Sequence, residues 1–187
     1  MTRTNAHLWI VPLLLVQIAA SDEAGGPRYT SDGRLIVPED YREWVFLSAG
    51  LDMSYSDAPA MVGHSMFDNV FVDRGSWQRF KATGHWPDRT MLVMELRGAT
   101  TRGSINKRGK YQTDERMTIE MHVRDEGRFK GGWAFWVTDG VAPAQQVPYA
   151  ADCYSCHLQH GAVDTTFVQF YPTAQAIAKK AGTFHEP

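Results

Sequence analysis

The chain has 187 residues, 43% of them hydrophobic and 12% aromatic, which is enough to bury one sizeable core. A formal net charge of −2 gives no reason to expect nucleic acid as a partner. With no internal repeat and no low-complexity tract, the composition describes one globular domain rather than a repeat array or a disordered chain.

At the N-terminus Arg3 precedes the apolar run LWIVPLLLVQIAA (8–20), and polar SDEAGGP follows. A basic start, a short apolar stretch and small residues describe a secretory signal peptide over 1–20. The run is short for a membrane span; an uncleaved anchor is the competing reading. The expectation is export to the periplasm, with no stable membrane insertion after cleavage. Residues 21–33, polar and glycine-bearing, read as a flexible segment, and 34–182 as the folded domain.

Within that domain PEDYREW (38–44) reads as a short helix with proline at its first position. WVFL (44–47) suits a strand, and 48–66 a long loop. NVFVD (69–73) is strand-like. Asp73 is placed to cap a helix carrying Trp77 and Phe80, with Gly84 as its stop and Pro87 beyond. The middle of the chain then alternates. Leu92, Met94 and Leu96 share one face of a strand, Glu95 and Arg97 the other. Met117, Ile119, Met121 and Val123 share one face of the next, and Thr118, Glu120 and His122 the other. Residues 98–113 connect the two as a basic, glycine-bearing hairpin, and WAFWV (133–137) is a further strand. Near the end TFVQFYP (166–172) reads as extended and TAQAIAKKA (173–181) as helical. The fold class is therefore α+β, an antiparallel sheet with several helices.

Between the last strand and that C-terminal helix lies CYSCH, which holds both cysteines of the protein, Cys153 and Cys156, with His157 directly after. Two cysteines at this spacing serve in zinc sites, redox dithiols, small-loop disulfides or covalent haem attachment. A closed zinc site takes four ligands, usually from two such pairs, and no second pair exists here. A redox dithiol belongs to a βαβ pattern not visible upstream. A disulfide across so small a loop restrains the unfolded chain little. Haem attachment uses every residue of the motif: thioethers from Cys153 and Cys156, and an iron ligand from His157. It also agrees with export, so one covalent haem c is expected.

Thirty residues follow His157 and none is methionine, so the axial pair of the small electron-transfer cytochromes, with a methionine downstream of the motif, cannot be built. Four-helix cytochromes also carry the motif late, but the alternating strands argue against them. The ordered set YREW, NVFVD, FKATG, WPDRT, VMEL, IEMHVRD, GWAFWV, CYSCH and TFVQFYP resembles the cytochrome P-460 and cytochrome c′-beta family over nearly the whole mature chain. That resemblance implies a largely antiparallel sheet with helices, usually a homodimer, and one c-type haem per subunit whose iron keeps an open distal side. It implies oxidation of hydroxylamine in the P-460 branch, where a lysine adds a further link to the haem. In the c′-beta branch it implies binding of nitric oxide or carbon monoxide in an apolar pocket.

Met94 stands where the resemblance places the linking lysine, so that link cannot form as the family makes it. It is expected to contact the haem edge, with ligation of iron as an alternative. Glu120 stands where hydroxylamine-oxidising members carry a proton acceptor above the iron, although alternation alone makes it a solvent-facing strand residue. His122 is expected at the surface. His160, one helical turn past His157, is a poor distal candidate. Arg102, Lys107, Arg108 and Lys110 form a solvated hairpin tip, or a patch that steers an acidic redox partner. The leading functional expectation is capture of nitric oxide or a similar small ligand. Hydroxylamine oxidation with Glu120 as base is the alternative, and simple electron transfer a weaker one.

Overall fold

The computed structural model describes residues 26–54, 65–101, 103–140 and 142–187; the leader at 1–20 lies outside them. Six strands form one antiparallel sheet in chain order: β1 (Val45–Leu51), β2 (Met66–Val72), β3 (Met91–Thr100), β4 (Tyr111–Arg124), β5 (Trp133–Thr138) and β6 (Gln145–Gln146). Three α-helices accompany it: α1 (Arg74–Thr83), α2 (Asp152–His160) and α3 (Pro172–Ala181). The α+β expectation holds, in a single domain.

Local chemistry explains the joints. The Asp73 side chain accepts from the Ser76 N–H at 2.7 Å, which satisfies one of the free donors at the start of α1. Gly84 ends the helix at φ +74, a left-handed conformation that favours glycine. A Cβ at Gly84 would come within 2.6 Å of the Ala181 Cβ, so the same glycine lets α1 and α3 close on each other. Pro172 opens α3 at its first turn.

Both faces of the sheet are covered. On one, Val70, Val72 and Leu92 pack with Trp77 and Phe80 of α1, Ala174 and Ala178 of α3, and Trp86. On the other, Phe71, Val93, Ile119, Met121 and Val123 pack beneath Leu35, Tyr41 and Phe129. The two sets alternate along β2 and β3 as strand geometry requires. Phe80 is fully buried and stacks on Trp86 at 4.0 Å between ring centres; Phe80→Ala would cost about 3–5 kcal/mol.

Three local readings need correction. PEDYREW forms only a 3-10 turn over Tyr41–Glu43. Of the loop expected over 48–66, residues 48–51 belong to β1 and Met66 opens β2, while 55–64 lie outside the described residues. The segment expected to be extended after CYSCH instead makes a 3-10 turn, Val168–Phe170, that returns the chain to the sheet before α3. Within 21–33, Tyr29 bridges to Leu35 and packs on Trp136 at 5.7 Å between ring centres.

Candidate functional site

Cys153, Cys156 and His157 occupy positions i, i+3 and i+4 of α2, so one face of a short helix presents all three. That face lines a cavity of about 550 Å³, whose opposite wall is the sheet. No residue of α2 is buried; the helix meets the cavity instead of the core. Its tether to the sheet is Tyr154, whose hydroxyl donates to the Val147 carbonyl at 3.0 Å and accepts from the Phe135 N–H at 3.3 Å. Both thiols are free.

The His157 ring is fixed by a single bond. Its Nδ1 lies 2.8 Å from the carbonyl oxygen of Thr165. A carbonyl only accepts, so Nδ1 carries the proton and Nε2 keeps the lone pair that a metal takes. Phe167 stacks on the ring at 4.0 Å and Phe135 leans on it at 4.5 Å. Burial pulls the His157 pKa down, which keeps the imidazole neutral.

His122 is a correction to the surface expectation. It is 8% exposed and lies between Trp133 and Phe135, at 4.3 and 4.1 Å between ring centres. Alternation places Glu120 and His122 on one side of β4, but it cannot say that α2 and the segment after it close over that side. Burial, and then the neighbouring His157, hold the His122 pKa well below the usual histidine value. Its Nε2 is buried without a hydrogen-bond partner among the described residues. His122 meets His157 edge to face at 4.8 Å. Two imidazoles on opposite faces of one metal, each bound at about 2 Å, would stand farther apart, at about 6 Å between ring centres. His122 therefore packs beside His157 rather than opposite it.

The wall away from His157 is a row across the sheet. Val70 pairs with Met94, Met94 with Glu120, and Glu120 with Val137, and all four line the cavity. Met94 and Glu120 are thus direct cross-strand neighbours. Glu120 opens on the cavity, and the apolar wall around it raises its carboxyl pKa through desolvation. Asp68 also lines the cavity, and sequence reasoning missed it. Its pKa is pushed up to about 6 by burial, and then by the charges of Glu120 and Asp52. The signal was available: Asp68 sits two residues before Val70 and shares its face.

His160 is exposed at the end of α2, consistent with its expected distance from any distal role. Lys107 and Arg108 are exposed in the β3–β4 connection, whereas Lys110 is engaged with Asp52 at 2.7 Å; Arg102 lies outside the described residues. Among the described residues no three His, Cys, Asp or Glu side chains gather as a metal cluster, so the thiol pair has no zinc partners there.

The residues fit a haem. Two free thiols and an imidazole with its lone pair available face one cavity of ring-sized volume, whose sheet wall is formed by Val70, Met94, Glu120 and Val137. Residues 38–168 match the family model of cytochrome P-460. Among curated proteins none matches the chain. The match spans most of the sequence; the chain belongs to the cytochrome P-460 family and is a haem cytochrome.

Proposed function

We propose that this member of the cytochrome P-460 family is an exported mono-haem c protein that binds nitric oxide or a similar small ligand on an open face of its iron. The observation that carries the reading is the asymmetry of the cavity. One side offers His157 with its proton fixed on Nδ1; the other offers Val70, Met94, Glu120 and Val137, none of which is a nitrogen ligand. Cys153 and Cys156 hold the haem through thioethers, each thiol adding across a vinyl group with its hydrogen going to the vinyl's other carbon. His157 Nε2 binds the iron. The haem supplies an iron that takes a small ligand and exchanges an electron. Met94 fills space at the ring edge, as an unbranched thioether does well, and the absence of lysine there leaves the ring without a further link.

Export is supported by the basic and apolar pattern at the N-terminus, and among the described residues no helix is long and apolar enough to cross a membrane. A homodimer and a small redox partner belong to the same proposal through the family.

A second reading, oxidation of hydroxylamine, draws on the two carboxylates. Oxidation releases protons, and an acceptor works best when its pKa lies near the working pH. Desolvation by the cavity wall moves Glu120 in that direction although its side chain is exposed to the cavity, and Asp68 reaches about 6. In this reading Glu120 takes the proton and Asp68 passes it outward. Turnover assays with hydroxylamine separate the two readings: absence of turnover, with retained nitric oxide binding, keeps the first. For attachment, acid–acetone extraction should leave haem on the wild-type chain. Replacement of Cys153 and Cys156 by alanine should release it. Complete extraction from the wild type would refute covalent attachment.

A further inference from the structure

The Thr165 carbonyl that fixes His157 sits in an unusual piece of backbone. Asp164 and Thr165 are consecutive non-glycine residues with positive φ, +47 and +60. Aspartate tolerates the left-handed region; a β-branched threonine does so at a cost. The Thr165 side chain does not hold itself there, since its hydroxyl is buried without a partner. The turn is instead closed by Thr166, whose N–H and hydroxyl both donate to the Val163 carbonyl, at 2.8 and 2.6 Å. Gly161 allows the close approach of this turn to α2: a Cβ there would meet the His157 carbonyl oxygen at 2.6 Å and the Thr165 Cα at 2.7 Å.

What anchors the strained pair is the Asp164 carboxylate. It accepts from the Trp86 backbone N–H at 2.8 Å and from His85 Nδ1 at 3.0 and 3.2 Å, and the Arg124 guanidinium lies 3.6 Å away. Trp86 also donates through its indole N–H to Thr166 at 2.9 Å, so the segment after α1 grips the turn on both sides of Thr165. None of these partners belongs to α2, and Asp164 does not line the cavity.

We propose that Asp164 is a positioning residue for the axial histidine: by fastening the 164–165 backbone to Trp86 and Arg124, it aims the Thr165 carbonyl at His157 Nδ1. It thereby sets how strongly His157 donates to the iron. This rests on the reading of His157 as the iron ligand. A carbonyl bonded to Nδ1–H raises the basicity of Nε2 and fixes the ring's rotation. A stronger donor favours the oxidised iron, so the turn lowers the reduction potential. Removal of the anchor lets Thr165 relax to negative φ and swings its carbonyl away.

The test uses the haem-loaded protein, with resonance Raman spectra of the ferrous form and redox titration as readouts and far-ultraviolet circular dichroism as the fold control. In Asp164→Ala the iron–histidine stretching band should shift down and the potential should rise. In Asp164→Asn both shifts should be smaller and in the same direction, because the amide oxygen still accepts from the Trp86 N–H but carries no charge for Arg124 and His85. An unchanged band and potential in both variants would overturn the proposal, as would an unchanged pair in the asparagine variant alone should the alanine variant not fold. His157→Ala separates the underlying reading: it should abolish the band, and a wild-type protein without such a band would overturn the assignment of His157 itself.

Discussion

The sheet carries carboxylates on both faces, and the two faces treat them in opposite ways. On the face away from the cavity Glu95 is 0% exposed, yet it is fully partnered. Arg97 donates to it from Nε and Nη2, both at 2.8 Å, Arg42 from Nη1 at 2.8 Å, and Tyr41 from its hydroxyl. Burial pushes the Glu95 pKa up, but these hydrogen bonds and charges outweigh it and bring it down to about 2. On the cavity face Glu120 and Asp68 have desolvation and, among the described residues, no such partners, and both are raised. One strand away from each other, Glu95 is a structural anion and Glu120 an available base. Burial alone does not make a carboxylate functional; the absence of committed donors around it does.

The comparison can be broken most forcefully at Glu95. Glu95→Ala leaves the charge of Arg97, largely buried, without its carboxylate, with only the Thr113 and Asp114 carbonyls still accepting, and should destabilise the fold by about 3–5 kcal/mol in denaturant titration. Glu120→Gln should leave stability within about 0.5 kcal/mol. If the protein turns over hydroxylamine, the same change should reduce the rate by about 10²–10⁴. Equal stability losses at Glu95 and Glu120 would erase the distinction between the two faces.

The pH dependence should differ in sign. Glu95 has a folded pKa below its unfolded value. Its contribution of about 3 kcal/mol is present above pH 4.5 and is lost as pH falls from there through about 2. Asp68 has a folded pKa above its unfolded value, so its ionisation opposes folding and stability falls as pH rises from about 4 through 6. Asp68→Asn should therefore stabilise the protein at pH 7–8 by about 1–3 kcal/mol, with the gain vanishing near pH 4 in melts across that range. A gain that persists at pH 4 would mean that the charge is not its source. The smallest effect is expected at Met94: Met94→Leu conserves volume, should cost under about 1.5 kcal/mol, and should leave the haem spectrum that of an ordinary c-type protein. A loss of red-shifted absorption in this variant would show that Met94 modifies the ring.

The same two faces mark what could be read from the sequence. The grouping of Cys153, Cys156 and His157 was legible because it is local: three side chains on one helical face need no long-range information. Asp73 and Gly84 were legible as cap and stop for the same reason. The period of two in β3 and β4 sorted Met94 from Glu95 and Glu120 from Met121 correctly. It could not say which face would be roofed, so His122 was expected at the surface although α2 and the turn after it close over that side. Asp68 was missed because the strand was read from Asn69, one residue too late for the period of two to reach it. The 3-10 turn in TFVQFYP escaped because β-branched and aromatic residues favour extension until packing overrides them.

On the proposed function His157 holds the haem iron and leaves its other face open toward Met94 and Glu120. Titration of the ferrous protein with carbon monoxide, followed by ultraviolet–visible absorption, tests it most directly. The account predicts a five-coordinate ferrous spectrum that converts fully to that of a carbon monoxide complex; a low-spin six-coordinate spectrum unmoved by the gas would contradict it.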